Sequence, residues 1–234
     1  MEAASWNDKP AITMLWDMSQ FYDSVSIPKL VAAADTWKVP EVPLCISLLV
    51  HLSQRVLRIQ GAVSRPIHGM GRSIVAGDSS STSLARAALL TPVVSSIEAG
   101  RAAEEEERRQ SSKEHKKRRT TVLTGQHVDD VSQLVTGDTF EDTLQMATIV
   151  GSRFAKEAEQ AGFSISDKSV VVASSDLLAD KLVARMKATG VHIGKEKEAE
   201  DLGVAFKACA RKRCAAKQKE RLTKGRTRAK RIAS

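Results

Sequence analysis

The chain has 234 residues, 42% of them hydrophobic and 27% charged, which is typical of a globular protein rather than a disordered one. Its first residues, MEAASWNDKP, lack the basic and then apolar order of a signal peptide, and no apolar run reaches the ~18 residues of a membrane span. The net charge is +8, but residues 211–234 hold eleven Lys or Arg against one acid, or +10, which leaves −2 for the rest.

These features predict an intracellular protein, nuclear or cytoplasmic, without a membrane partner. A neutral body with a basic tail is the charge distribution of a protein that binds phosphate groups, although a solvated terminal helix would give the same pattern. Three cysteines at uneven spacing, Cys45, Cys209 and Cys214, favour reduced thiols over disulfides or a metal site. The sequence does not indicate an oligomeric state.

Strands and helices are predicted to alternate without a regular βαβ repeat, which favours the α+β class. The predicted elements are, in chain order, a buried strand over Ala11–Trp16, helices that begin at Ser26–Pro28 and at Pro40–Pro43, a hairpin about Gly61, a helix over Thr82–Ile97, strands on both sides of Asp129, a helix over Thr139–Ala161 capped by Gly162, a strand over Ser169–Ser174, a helix over Asp176–Gly190, short strands over Val191–Ile193 and Leu202–Phe206, and a terminal basic helix.

One segment, Arg101–Arg119, is almost wholly polar and contains the blocks EEEERR and KKRR. We predict an exposed connection or insertion there, and a solvated helix held by charge pairs four residues apart is the alternative. The expected organisation is a main domain over residues 1–206 followed by a basic helical tail over residues 207–234.

Carboxylates lie at two places where strands are predicted to end. Asp17 follows the first strand, and Asp129 and Asp130 are adjacent within the apolar hairpin QHVDDVSQLV. Like charges this close resist joint ionisation unless water or a cation compensates them. Asp17 capping a turn and a solvated hairpin tip are the simpler interpretations. If both strands deliver Asp to one end of a sheet, however, three carboxylates would form a site for Mg²⁺.

Five segments in order resemble the palm domain of reverse transcriptases, the RNA-directed DNA polymerases, of the non-long-terminal-repeat retrotransposon and group II intron type. They are LWDMSQFYDS, RSIVAGDSSSTSLARAAL, QHVDDVSQLV, AGFSISDKSVVVAS and EAEDLGVAF, and the resemblance extends over most of the chain, from Asp17 to Val204. The matching positions are Asp17, Tyr22 and Asp23; Gly77 and Ser81; Asp129 and Asp130; Gly162, Phe163 and Lys168; and Leu202, Gly203 and Val204.

The resemblance implies a role for each matching position. Asp17 and Asp129, supported by Asp130, would hold two Mg²⁺ ions, with Mn²⁺ as an alternative. Tyr22 would lie against the sugar of an incoming deoxynucleoside triphosphate. Further implied residues are Gly77, Ser81 and Lys168 at the nucleotide, Leu202 and Gly203 at the primer grip, and Arg211, Lys212, Arg213, Lys217, Lys224, Arg226 and Arg228 along the nucleic-acid backbone.

The implied fold is a polymerase-like palm, in which helices back a small antiparallel sheet, with partial fingers and the start of a helical thumb. The implied activity is RNA-templated DNA synthesis by two-metal nucleotidyl transfer on a DNA primer. Only sixteen residues precede Asp17, which leaves no room for complete fingers. The alternative is therefore a catalytically inactive, reverse-transcriptase-derived protein that binds nucleic acid.

Overall fold

The structure, a computed structural model, describes residues 9–67, 71–110, 120–201, 204–207 and 223. Within these ranges the chain is α+β, as predicted. The helices are α1 (Phe21–Ser24), α2 (Ile27–Thr36), α3 (Glu41–Leu52), α4 (Ser81–Gln110), α5 (Phe140–Ala161) and α6 (Asp176–Ala188). The strands are β1 (Ala11–Trp16), β2 (Met18–Ser19), β3 (Arg58–Ile59), β4 (Ala62–Val63), β5 (Thr121–His127), β6 (Asp130–Thr136), β7 (Ser164–Ile165), β8 (Val170–Ala173), β9 (Gly194–Lys195), β10 (Glu198–Asp201) and β11 (Val204–Lys207).

The main sheet has five strands in the order β5-β6-β1-β8-β9. Neighbouring strands are antiparallel from β5 to β8, whereas β9 lies parallel to β8, so the sheet is mixed. Its four antiparallel strands and the helices α4 and α5 follow one another as β1-α4-β5-β6-α5-β8, which is a split βαββαβ arrangement. Helices α1 to α3 and the small β3–β4 hairpin lie between β1 and α4 in the chain. None of the helices in the described ranges combines the length and apolar character that a bilayer crossing requires.

The core lies between the sheet and the helices α4, α5 and α6. All six residues of β1 are buried, and alternation sends Ile12, Met14 and Trp16 towards this core. The Trp16 and Phe154 rings lie 5.2 Å apart between their centroids. Helix α5 has the caps that its sequence predicts. The Thr139 side chain accepts a hydrogen bond from the Asp142 N–H, and Gly162 ends the helix at φ 96°, which glycine adopts without strain.

A chain of buried hydrogen bonds links β1 and β6 to α4. The indole Nε1–H of Trp16 donates to Gln133 Oε1 at 2.9 Å, and Gln133 Nε2 donates to Ser96 Oγ at 3.0 Å. Ser96 Oγ in turn donates to the Val93 carbonyl oxygen at 2.7 Å. These bonds form only when Trp16 lies opposite Val131, the observed register, because a slip of one residue would turn Gln133 to the other face.

Helix α4 is longer than predicted. It continues past Ile97 to Gln110, so the first half of the predicted exposed connection is the solvated helix that was the alternative. Arg108 and Glu104 pair across one turn at 3.9 Å between charged atoms, as expected for such a helix. The second half, residues 111–119, lies outside the described residues.

The short strands after α6 also differ from prediction. The strand predicted over Val191–Ile193 instead occupies Gly194–Lys195, because the parallel pairing with β8 begins at Val170 and Gly194. Strand β10, whose sequence is EAED, was not predicted, since three acids in four residues are unfavourable for a strand. It pairs with β11, which overlaps the last predicted strand. The basic helix predicted for residues 207–234 lies outside the described residues except Lys207 in β11 and Thr223, which is helical.

We predict that Gln133→Leu lowers the free energy of unfolding by about 1–3 kcal/mol, because the Trp16 indole N–H loses its buried acceptor. Urea denaturation measures this change. Gln145→Leu, at an exposed position of α5, is the matched control and should change stability by less than about 0.5 kcal/mol. In the Trp16→Phe/Gln133→Leu double variant the combined loss should be smaller than the sum of the single losses, and strict additivity would contradict the role of this bond.

Candidate active site

The register of β1 and β6 brings Asp17 and Asp130 to the same end of the sheet. Trp16 is paired with Val131, so one further step places Asp17 opposite Asp130. The flanking residues Trp16, Met18 and Val131 all point into the core. Alternation therefore puts both aspartates on the opposite face of the sheet, away from α4 and α5. The predicted convergence of these strand ends is present.

Asp129 lies at the tip of the β5–β6 hairpin, in the two-residue turn Val128–Asp129 between the paired residues His127 and Asp130. Val128 has φ 59°, a left-handed conformation that β-branched residues rarely adopt. A positive φ at the first turn residue is typical of a type II′ turn, where glycine is normal. Such a conformation costs on the order of 1–3 kcal/mol and tends to occur at functional sites, where the surrounding structure maintains it.

The backbone of Asp17 is fixed by the loop between β7 and β8. Its N–H donates to Ser169 Oγ at 3.0 Å, and its carbonyl oxygen accepts from Ser166 N at 2.8 Å and from Ser169 Oγ at 3.2 Å. Ser169 is fully buried. The predicted nucleotide-binding residue Lys168 is exposed within this loop, next to Ser169. The loop therefore brings Lys168 to the strand end that carries Asp17.

Tyr22 is electrostatically coupled to Asp129. It is half-buried in α1, where burial raises the pKa of its hydroxyl above the usual 10.0 and the negative charge of Asp129 raises it further. Its neighbour Phe21 is buried and stacks on Phe163 at 5.0 Å between ring centroids, which holds α1 against the core. Tyr22 is thus close enough to the hairpin tip to sense the Asp129 carboxylate, although 107 positions separate the two in sequence.

The loop that precedes α4 is attached to the helix that bears Tyr22. Ile74 N donates to the Tyr22 carbonyl oxygen at 2.9 Å, and Ser73 Oγ donates to Asp23 Oδ1 at 3.3 Å. Gly77 lies in this loop with φ 86° and open space at its Cβ position, so the backbone conformation explains the glycine. Ser81 is buried, and its hydroxyl donates to the Val75 carbonyl oxygen, so it shapes the loop from within.

His51 is part of this arrangement and was missed by the sequence analysis. It is buried in the last turn of α3, and its Nδ1 accepts the Val75 N–H at 3.0 Å. The neutral ring therefore carries its proton on Nε2, which lies 3.4 Å from Ser80 Oγ and 3.8 Å from Asp78 Oδ1. The available signal was a histidine in the helix EVPLCISLLVHL, which is mostly apolar and has no charged residue after Glu41.

Two neighbouring charges act on His51 in opposite directions. Burial is the largest effect and lowers the pKa of the ring, Asp78 raises it, and Arg55 lowers it. The pKa of Asp78 is itself lowered, chiefly by hydrogen bonds from the hydroxyl and the N–H of Ser80. The loop containing Gly77 is thus held by a neutral imidazole and an ionised carboxylate.

The aspartates do not form a ready-made metal site. Within the described ranges, no group of three or more His, Cys, Asp or Glu side chains is positioned to hold a metal ion. Nor does any ion pair between described side chains involve Asp17 or Asp129. Their oxygens remain the ligands that Mg²⁺ prefers.

The other predicted site residues lie outside the described residues. They are the primer-grip pair Leu202 and Gly203 and the tail residues Arg211, Lys212, Arg213, Lys217, Lys224, Arg226 and Arg228. Searches of protein-family models and of curated protein sequences find no significant match to this chain.

We predict that Asp129→Asn lowers the pKa of Tyr22, since the carboxylate that disfavours the tyrosinate anion is removed. Burial still acts, so the value should stay above that of free tyrosine. Tyr22 is the single tyrosine of the chain, so ultraviolet absorbance of tyrosinate reports it alone. Asp130→Asn is the matched control, and an equal shift in that variant would show that Tyr22 senses the hairpin as a whole.

We predict that unfolding stability decreases as the pH falls, because of His51. The folded-state pKa of His51 is lower than the 6.5 of an unperturbed histidine, so between these values the unfolded chain binds a proton that the folded chain does not. The contribution of the neutral His51 to the free energy of unfolding is complete above about pH 6.5. It is lost as the pH falls from there through the lowered pKa of the folded state. Urea denaturation across this range should show a smaller loss in His51→Gln, whereas exposed His192→Gln should behave like the parent chain.

Proposed function

We propose that this chain is a reverse-transcriptase-like palm domain that catalyses RNA-templated DNA synthesis by nucleotidyl transfer. The observation that supports the proposal is the pairing of β1 with β6, which places Asp17 opposite Asp130 and next to the hairpin tip that carries Asp129, at one end of a sheet that helices back on the other face. The same sheet end receives Tyr22, through its coupling to Asp129, and Lys168, through the loop that fixes Asp17. These contacts join three of the segments that carry the resemblance.

The donor set fits divalent cations of the Mg²⁺ type. Asp17 and Asp129 would hold two ions, with Asp130 in support. Mn²⁺ could replace Mg²⁺, because it also binds carboxylate oxygens. When bound, the ions would activate the primer 3′-hydroxyl and stabilise charge on the leaving oxygen. Hydrogen bonds between the Asp17 backbone and Ser166 and Ser169 would fix one ligand, and the strained turn at Val128 would fix the other.

The surrounding side chains would bind and orient the substrates. Tyr22 would lie against the sugar of a deoxynucleoside triphosphate and exclude a 2′-hydroxyl by bulk. Gly77 leaves space above the backbone for a nucleotide, and Lys168 supplies an exposed cation for the phosphates. The basic residues from Arg211 to Arg228 would track the backbone of the template and primer through contacts that do not depend on sequence.

The decisive experiment is primer extension by the full chain on an RNA template annealed to a DNA primer, with and without Mg²⁺. We expect Mg²⁺-dependent extension that Asp129→Asn reduces by about a hundredfold or more. The matched control is Asp35→Asn, which changes an exposed carboxylate paired with Lys38 at 3.6 Å and should leave the rate unchanged.

Binding of the same duplex separates the two candidate functions. Binding that weakens steeply with salt, without extension by any variant, would favour the catalytically inactive nucleic-acid-binding protein. Extension that persists in Asp129→Asn would contradict the assigned site. A chain that neither binds nor extends the duplex would overturn both candidates.

A further inference from the structure

An unusual concentration of exposed apolar side chains lies outside the candidate active site. The described residues expose thirteen large apolar side chains, of which ten fall between residues 42 and 67. We call this set the apolar surface. Its members are Val42, Ile46, Leu49, Val50, Leu52, Val56, Leu57, Ile59, Val63 and Ile67.

Helix α3 is apolar on both of its sides. Its inner residues Leu44 and Leu48 pack against the core, whereas Val42, Ile46 and Leu49 are exposed by 68%, 60% and 68%. The spacing of these three residues, i, i+4 and i+7, forms a stripe along the outer side. No charged residue occurs from Val42 to Gln54. A helix that is apolar all round is normally buried, so the outer stripe has the composition of a covered surface.

The β3–β4 hairpin continues the apolar surface. Arg58 pairs with Val63 and Ile59 with Ala62, and all four residues are exposed. An isolated two-stranded hairpin is marginally stable in water, and contact with another surface would stabilise it. The base of the hairpin is fixed to α3, because Arg55 Nη2 donates to the His51 carbonyl oxygen at 2.8 Å. The stripe and the hairpin are thus held together at this point.

The charges of this segment indicate what covers it. Residues 42–67 contain three arginines, Arg55, Arg58 and Arg65, and no Asp, Glu, Lys, Phe, Trp or Tyr. We propose that the apolar surface binds a protein partner whose contact face is an apolar stripe bordered by Asp or Glu. Arginine forms bidentate pairs with carboxylates and is enriched in protein interfaces, where lysine is depleted. The proposal is independent of the proposed function.

Other occupants fit the composition less well. A second copy of the chain in a two-fold arrangement would bring the arginines of one copy against those of the other, which is unfavourable without carboxylates in between. Surfaces that lie on membranes use Trp and Tyr at the interface, together with Lys and Arg, and this segment lacks three of these four residue types.

The experiment is a selection from a random library of peptides of about 16 residues, roughly four helical turns. The full chain is the target, and Ile46→Glu/Leu49→Glu is the counter-selection target. We expect the selected peptides to carry an apolar stripe and a net negative charge. Their affinity should fall about tenfold or more in Ile46→Glu/Leu49→Glu and in Arg58→Glu/Arg65→Glu. Leu177→Glu, at an apolar residue of α6 exposed by 60%, is the matched control and should bind like the parent chain.

Circular dichroism and urea denaturation verify that the variants fold. We expect them to fold because the substituted side chains are exposed. Selected peptides without a negative bias, or no peptide that depends on Ile46 and Leu49, would overturn the proposal. Two further results would also overturn the proposal, if the Ile46→Glu/Leu49→Glu variant abolished them. Dimerisation in sedimentation equilibrium would assign the surface to a second copy, and flotation with phosphatidylserine vesicles would assign it to a membrane.

Discussion

The pairing of β1 with β6 is the constraint on which the candidate site depends. The buried chain from Trp16 through Gln133 to Ser96 forms in one register only, since the indole and the amide must both face α4. Side chains alternate along strands, so Asp17 lies on the opposite face from Trp16, which faces the core. In the same way Asp130 lies on the opposite face from Val131. A slip of β6 by one residue would turn Asp130 towards the helices, at a large desolvation cost for its carboxylate. The hydrogen bonds that specify the fold therefore also bring the aspartates together.

A second constraint acts at the hairpin tip. Val128 adopts a conformation that favours glycine, and it nevertheless packs against the core as a partly buried side chain. Core packing thus offsets the strain and keeps the turn in one conformation. Asp129, the next residue, consequently projects from a defined position rather than from a flexible loop. Under the proposed function, a carboxylate that shares ions with Asp17 would require such a fixed backbone, because misplacement by about 1 Å weakens ligation and orientation.

The sequence predicted those elements whose signals are local. Six consecutive apolar residues define β1, and Thr139 and Gly162 mark the ends of α5, where cap chemistry is read directly from residue type. Strand β10 was not predictable, because the acid-rich EAED becomes a strand only through its pairing with β11. The end of α4 was misjudged for a related reason, since a polar helix and a polar loop have similar compositions.

The candidate site, too, was predictable only where the signal was local. The resemblance identified Asp17, Tyr22, Asp129 and Asp130 by residue type and order, but their approach depends on long-range pairing that no single segment encodes. The part played by His51 follows from one hydrogen bond to a backbone N–H 24 positions later, and residue type alone leaves open whether such a histidine is buried or solvated. The roles of the four residues identified by the resemblance, and those of Leu202 and Gly203, remain predictions.

Helix α3 contacts the loop that contains Gly77 with one side and forms part of the apolar surface with the other. The outer side carries Ile46 and Leu49, which are exposed, and the inner side carries His51, which fixes Val75 two residues before Gly77. A partner bound to the outer side would restrain α3, and α3 restrains the loop through a single imidazole. Protonation of Nδ1 would replace an acceptor with a donor facing the Val75 N–H, so the contact requires the neutral ring. The conformation of the loop that contains Gly77 thus depends on the neutral form of a residue whose helix also forms part of the apolar surface.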